Sequence, residues 1–115
     1  MSTQRNRPTV STTTVAGIVR VSAVPATYPE ARHWTLTVEH RGPRAWAVCW
    51  SGMCLSDRGR WDIEPSPSGR TPDWLAHHRF SRADAISRAK AQALLINVNG
   101  HTAADYLARY QDGQQ

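Results

Sequence analysis

Residues 45–56 read AWAVCWSGMCLS and contain two cysteines, two tryptophans and one glycine. Large apolar side chains alternate with small ones in the first half of this stretch, which indicates a strand with one buried face. If Ser51 and Gly52 form a two-residue hairpin loop, Cys49 pairs with Cys54 and the apolar face continues into the next strand. The alternative is a bulge at Gly52, which reverses the side-chain alternation without reversing the chain.

Further strands are predicted on both sides of this hairpin. Residues 34–41 alternate strictly between apolar and polar side chains, and a Gly-Pro turn follows them. The register that opposes His40 to Trp46 pairs every apolar residue with another, whereas a slip of one residue opposes tryptophans to glutamate and threonine. Downstream, a loop at residues 57–59 leads into another strand. The sequence therefore predicts a four-stranded antiparallel meander over residues 34–64.

One more apolar stretch and three helical segments complete the predicted fold. Residues 15–24 are expected to add an edge strand to the meander. A short helix is predicted to begin at Pro72 with Thr71 as its N-cap, a longer helix is capped by Ser81, and a C-terminal helix is capped by Thr102. The longer helix presents alanines to the tryptophan-rich inner face of the sheet, and large residues pack well against small ones. The expected fold class is α+β, an antiparallel sheet of four to five strands packed on one face by an Ala-rich helix.

The length of 115 residues is that of a single domain with one core. Residues 1–12 are polar and lack an apolar period, so we expect a disordered basic tail followed by one α+β domain at residues 13–112. No apolar run approaches the length of a membrane span. Two cysteines do not make a disulfide framework. These features predict a soluble, cytoplasmic protein with reduced thiols.

The net charge of +5 comes almost entirely from arginine, since Lys90 is the one lysine in the chain. Arginine suits the recognition of phosphate and carboxylate groups. A GC-rich genome produces the same composition, however, so charge favours nucleic acid only where the arginines converge on one surface.

Two predicted turns bring arginines together. Because one hairpin reversal separates the turn near residues 41–44 from the loop at 58–60, both fall at the same end of the meander. Four arginines are expected to share this tip: Arg41, Arg44, Arg58 and Arg60. The tip supports one hypothesis for the function, a nucleic-acid-binding protein. The sheet-plus-helix layout also resembles AP2-like and integrase arm-binding domains, although three outward carboxylates here would face the DNA.

Metal or enzymatic chemistry is not predicted. Cys49, Cys54, His77 and His78 offer four zinc ligands, but their spacing departs from that of structural zinc sites, and neighbouring helical residues point about 100° apart. A strained, easily reduced disulfide between the cysteines is a better alternative, and two free thiols are the simplest interpretation. The chain has no nucleophile elbow and no Gly-rich phosphate loop. We therefore expect no enzyme, no metal and no cofactor.

The outward face of the predicted sheet carries small residues bordered by acids. Ala47, Cys49 and Cys54 are expected on this face, with the outward carboxylates Glu39, Asp62 and Glu64 beside them. An open face of this kind can receive an Arg-rich or strand-like segment of a partner, although a solvated antiparallel sheet looks the same in sequence. The leading hypothesis is therefore a small non-enzymatic interaction module that binds another protein.

Several segments between residues 34 and 110 carry a resemblance to a known group: WTLTVEHRG, WAV, CLSDRGRWDIEPSPS, WLAHHRF and NVNGHTAADYLARY. Together they resemble small actinobacterial proteins associated with phages and mobile elements. The resemblance implies no particular activity. It implies a compact accessory protein that acts by binding another macromolecule.

Overall fold

The computed structural model describes residues 8–113. Its six strands are β1 Ser11–Val15, β2 Ile18–Ser22, β3 Thr35–Gly42, β4 Ala45–Trp50, β5 Met53–Leu55 and β6 Trp61–Ile63. The α-helices are α1 Pro72–His78, α2 Arg82–Ala93 and α3 Ala103–Gly113. Each strand pairs with the next in one antiparallel sheet, so the predicted α+β meander is confirmed with one strand more than expected. No helix among residues 8–113 has the length and apolar character needed to cross a membrane.

The hairpin at the centre of the sequence forms as predicted. Ser51 and Gly52 both have positive φ, 51° and 79°, which is the backbone of a type I′ turn. Cys49 is paired with Cys54 across β4 and β5. The bulge at Gly52 is therefore the wrong alternative, because the chain reverses at this point.

The β3–β4 hairpin also has the predicted register, with His40 opposite Trp46. An irregularity follows, since Gly42 and not Arg41 is opposite Ala45. Arg41 is the extra residue of a β-bulge, which locally bends the strand. The bulge leaves the Arg41 side chain on the outer face of the sheet, where Glu39 also lies.

The N-terminal part of the sheet differs from the prediction. A hairpin of β1 and β2, turning at Ala16 and Gly17, replaces the single edge strand expected at residues 15–24. β1 begins within the segment expected to be a tail; residues 1–7 of that segment lie outside the described residues. All five residues of β1 are exposed. Its threonines favour extended backbone, but a strand exposed on both faces leaves no apolar alternation to detect.

The helix α2 packs on the inner face of the sheet, against β2, β3 and β4. Its three inward alanines are fully buried: Ala85, Ala89 and Ala93. The buried sheet residues that face this layer are largely aliphatic, among them Val19, Val21, Leu36, Val38 and Val48. Of the five tryptophans, Trp34 alone is buried, and three others pack at the margin of the core. Small helix residues pack against larger sheet residues, as predicted. The sheet residues at the centre of the core are aliphatic, however, and not the tryptophans that the sequence placed there.

The helix α1 lies on the opposite, outer face of the sheet. Thr71 caps its N-terminus by accepting from the Trp74 N–H, and Pro72 supplies a favourable first helical residue. His78 near its end is buried and contacts Asp62 of β6, with 2.8 Å between Nε2 and Oδ2. The helix α1 therefore covers part of the outer face near β6.

Candidate functional site

The four arginines expected at one tip have different surroundings in the structure: one is ion-paired and three are exposed. The Arg41 guanidinium donates to Glu39 at 2.9 Å and to both carboxylate oxygens of Glu64 at 3.1 and 3.0 Å. The two carboxylates therefore balance the positive charge of Arg41 on the outer face of the sheet. The other three are exposed, and within residues 8–113 their side chains make no hydrogen bond or ion pair: Arg44, Arg58 and Arg60.

The segment around Phe80 lies between the two arginine-bearing turns. The sequence did not predict that this segment pairs with β4. β5 has three residues and β4 has six, so the β5–β6 loop begins part-way along β4. Phe80 occupies the free edge of β4, and its N–H and C=O bond to Trp46 at 2.9 and 2.8 Å. The turns share one end of the sheet as expected, with Phe80 between them.

Two further arginines fill this intervening region. The Arg82 guanidinium lies 5.6 Å from the centre of the Trp46 ring, and Arg88 lies 4.5 Å from that of Phe80. Arg88 also donates to the backbone oxygen of Asp57 at 3.4 Å. We call this region, together with the two turns, the arginine–aromatic surface. Phe80 is its buried base, and its other members are Arg44, Trp46, Arg82, Arg88, Arg58 and Arg60.

The carboxylates beside this surface are already paired. Asp84 accepts from Arg88 at 3.1 Å. Asp57 lies 2.9 Å from the His77 ring, and the hydrogen bond from His77 holds the pKa of the Asp57 carboxyl below its ordinary value. Asp57 also attracts Arg58 and Arg88, but the five guanidinium groups of the arginine–aromatic surface outnumber these two carboxylates, so the surface keeps an excess of positive charge.

A cleft of about 590 Å³ opens beside the surface, between the β5–β6 loop and α1. Two His–Asp pairs line it: His77 Nδ1 is 2.9 Å from Asp57 Oδ2, and His78 Nε2 is 2.8 Å from Asp62 Oδ2. The second nitrogen of His78 is 2.7 Å from the Trp74 carbonyl oxygen. Both ring nitrogens of His78 are thus engaged, which makes this residue a structural contact.

His77 is more accessible than its neighbour. Its Nε2 lies 3.9 Å from Asp73 Oδ1, beyond hydrogen-bond distance. Arg58 and Arg60 line the same cleft. Asp57, Asp62 and Asp73 line it as well. The two guanidinium groups, and not the cleft as a whole, are therefore suited to contacts with phosphate oxygens.

The sequence did not predict these His–Asp pairs, because His77 and His78 were considered only as zinc ligands. The available signal was weak: two adjacent histidines in a short helix, and two aspartates in and after the preceding loop. Their pairing depends on where α1 docks, which the local pattern does not specify. The contributions of Arg82 and Arg88 were missed for the same reason.

The small-residue face expected to receive a protein partner is largely covered. Ala47 and Cys54 have no exposed surface, while Cys49 is half-buried. Arg79, from the segment after α1, reaches Glu64 on this face at 2.7 Å. The expectation of an open, solvated outer face is therefore wrong at Ala47 and Cys54, whereas Cys49 lies at an open cleft.

Glu64 organises this covered region. Besides Arg41 and Arg79, Arg70 approaches it at 3.3 Å. Hydrogen bonds from Arg41 lower the pKa of the Glu64 carboxyl from 4.5 to about 2. The carboxylate expected to point freely into solvent is instead the anionic centre of a three-arginine cluster.

One group of metal-ligand atoms occurs within residues 8–113: Cys49, Cys54 and Glu64 place theirs within 4.8 Å of one another. Both Glu64 oxygens are hydrogen-bonded to arginine, and nearby guanidinium charges repel a divalent cation. His77 and His78 are not members of this group. The four-ligand zinc set considered from the sequence does not come together.

Comparison with other proteins gives no assignment, since no protein family, curated protein or solved structure matches the chain. The resemblance to small actinobacterial proteins therefore stays a prediction. A functional proposal must come from the geometry of the chain itself.

Proposed function

We propose that the protein binds the phosphate backbone of nucleic acid through the arginine–aromatic surface. The observation that carries the proposal is the chain of contacts that makes two separate arginine turns into one surface: Arg82 on Trp46, Trp46 paired with Phe80, and Arg88 on Phe80. Guanidinium groups fit phosphate oxygens in a bidentate manner. Contacts of this kind carry little sequence preference.

The aromatic rings support binding by orienting two of the arginines. A guanidinium placed over an aromatic face is held by the ring quadrupole, and its edge N–H groups stay free for hydrogen bonds. Arg82 is exposed and makes no ion pair within residues 8–113. Ordering this side chain before binding reduces the entropy lost when a phosphate arrives.

The location of the free charge favours nucleic acid over the protein partner that led the sequence-based hypotheses. A protein segment docking on Ala47 and Cys54 would have to displace the groups that cover them, because neither residue has exposed surface. The arginine–aromatic surface, in contrast, is reached without any rearrangement.

A protein partner is the second candidate, and one observation favours it. β1 is an edge strand of the sheet, and all five of its residues are exposed. An extended segment of another protein can add to such an edge through backbone hydrogen bonds. This binding would be insensitive to salt, whereas phosphate binding would not.

The experiment that tests the proposal is fluorescence anisotropy with a labelled random-sequence DNA duplex over a range of salt concentrations. If Arg44, Arg58, Arg60 and Arg82 each neutralise one phosphate, the logarithmic salt slope is about −3.6, or a roughly hundredfold loss of affinity from 50 to 200 mM salt. Absence of measurable binding at low salt would overturn the proposal.

Two variants with the same net charge separate a specific surface from general attraction. The first removes three of the four unpaired arginines of the surface: Arg44→Gln, Arg58→Gln and Arg60→Gln. The second removes three exposed charges elsewhere: Arg20→Gln, Arg32→Gln and Lys90→Gln. The first variant should flatten the salt slope by about 2.7 and the second should change it little. Equal losses in both would mean that net charge alone attracts the DNA.

In this role the protein acts without catalysis, as an accessory factor. The resemblance to proteins associated with phages and mobile elements implies such a role, and backbone binding without sequence preference is consistent with it. The proposal for a biological setting rests on that resemblance, while the proposal for a nucleic-acid ligand rests on the surface.

A further inference from the structure

The two cysteines of the central hairpin have the arrangement of a reversible disulfide site. Cys49 and Cys54 are direct cross-strand partners, one pair beyond the two-residue turn. This position is a non-hydrogen-bonded pair, in which Cα atoms lie about 4.5 Å apart. That separation falls inside the range that disulfides span. The two sulfur atoms lie within 4.8 Å of each other.

The two thiols differ in their access to solvent. Cys49 lines an open cleft of about 290 Å³ on the outer sheet face, together with Glu39 and Arg41. Cys54 has no exposed surface. A small molecule can therefore reach Cys49 from this cleft, whereas Cys54 is closed to it.

An arginine lies beside the exposed thiol of the pair. Arg41 Nη2 is 3.6 Å from Cys49 Sγ. The neighbouring Cys54 and burial raise the pKa of Cys49, while Arg41 opposes that rise because a guanidinium stabilises a nearby thiolate. The pKa of Cys54 is lowered by Cys49 and by Arg79, against the opposing effects of burial and Glu64.

We propose that Cys49 and Cys54 form an intramolecular disulfide by exchange with a low-molecular-weight disulfide such as oxidised glutathione. Cys49 is the attacking residue and Cys54 the resolving residue. The assignment follows from their pairing, from the unequal exposure of the two sulfurs and from the guanidinium beside Cys49.

The exchange balances in two steps. The Cys49 thiolate attacks one sulfur of the small disulfide, forms a mixed disulfide and releases one small thiolate. The Cys54 thiolate then attacks Cys49 Sγ, forms the protein disulfide and releases the second small thiolate. The two protons lost by the cysteines end on the two released thiols. The protein is oxidised by two electrons and the small disulfide is reduced by two.

The first test is equilibration of the full chain in buffers of defined reduced-to-oxidised glutathione ratio, followed by alkylation of free thiols and intact-mass measurement. Oxidising buffers should yield a species lighter by two hydrogen atoms and without alkyl groups, and dithiothreitol should restore two alkylation sites. A peptide map should show residue 49 linked to residue 54. Two alkylated thiols at every ratio, or a disulfide-linked dimer, would overturn the proposal.

The second test uses the difference in solvent exposure between Cys49 and Cys54. Cys54→Ser and the more conservative Cys54→Ala should accumulate a glutathione adduct on Cys49, since no resolving thiol remains. Cys49→Ser should stay unmodified, because Cys54 is buried. Circular dichroism verifies that each variant is folded. If a variant is unfolded, the peptide map of the oxidised wild-type chain tests the disulfide instead. Equal adduct formation in the two folded single-cysteine proteins would contradict the assigned roles.

Discussion

Phe80 completes the edge of β4 by pairing with Trp46 through two backbone hydrogen bonds of 2.8 and 2.9 Å. The pairing holds the short segment between α1 and α2 against the sheet. Since α1 lies on the outer face and α2 on the inner face, this single point fixes where the chain crosses from one face to the other. The arginine–aromatic surface is built on these two residues.

Loss of the Phe80 side chain should destabilise the whole fold. Phe80 is 8% exposed and belongs to the buried core, and truncating a buried phenylalanine costs about 3–5 kcal/mol of unfolding free energy. Urea denaturation of Phe80→Ala measures this loss. Ile63→Ala is the control, because Ile63 is 78% exposed and should change the unfolding free energy by no more than about 0.5 kcal/mol. Equal effects of both substitutions would contradict a structural role for Phe80.

Glu64 should make the stability of the protein sensitive to acid. Its pKa is about 2 in the folded chain against 4.5 ordinarily, so folding is favoured by ionised Glu64 above about pH 4.5. That contribution is lost as the pH falls from 4.5 towards 2. We expect Glu64→Gln to lower the unfolding free energy at pH 7 by about 1–3 kcal/mol, because charged hydrogen bonds are lost.

Denaturation curves collected between neutral pH and pH 2 check the Glu64 prediction. The difference in unfolding free energy between the wild type and Glu64→Gln should shrink with acidification. Asp73→Asn is the matched control, because the Asp73 side chain is 93% exposed and should leave the pH profile unchanged. A difference that stays constant with pH would contradict the assigned role of Glu64.

The cation–π contact of Arg82 predicts a specific effect on nucleic-acid binding. Arg82→Gln should weaken binding to the random duplex and reduce the salt slope by about 0.9, the share of one phosphate contact. Lys90→Gln removes the same charge from an exposed position of the same helix, eight residues further on. It should leave the slope nearly unchanged. Anisotropy titrations of both variants measure the difference, and indistinguishable slopes would remove Arg82 from the interface.

Substitutions at the two central residues of the type I′ turn should change the unfolding free energy in opposite directions. Ser51 has φ 51° without being glycine, so Ser51→Gly should raise the unfolding free energy by relieving left-handed backbone strain. Gly52 has φ 79° and open space around it, so Gly52→Ala should lower that free energy by about 1–2 kcal/mol through strain alone. Thermal unfolding of both variants gives the sign of each change. A stabilising Gly52→Ala would mean that the loop has another conformation.

The predicted strand registers depended on residues close together in the chain. Alternation along residues 34–41 and 45–50 allowed one register that kept apolar side chains together, and His40 does face Trp46. The pairing of Cys49 with Cys54 followed from the loop length in the same way. A slip of one residue would turn every side chain of the strand to the other face of the sheet. The local sequence is therefore enough to determine the register.

Sequence by itself therefore determined the order of the meander, the helix caps at Thr71 and Ser81, and the small-against-large packing of α2. Tertiary structure alone decided that α1 covers part of the outer face, that Arg41 binds Glu64 and that Phe80 brings Arg82 and Arg88 between the two turns. The physical reason is that periodicity records which side of an element is apolar. It does not record which distant carboxylate or ring an exposed arginine will meet once the layers close.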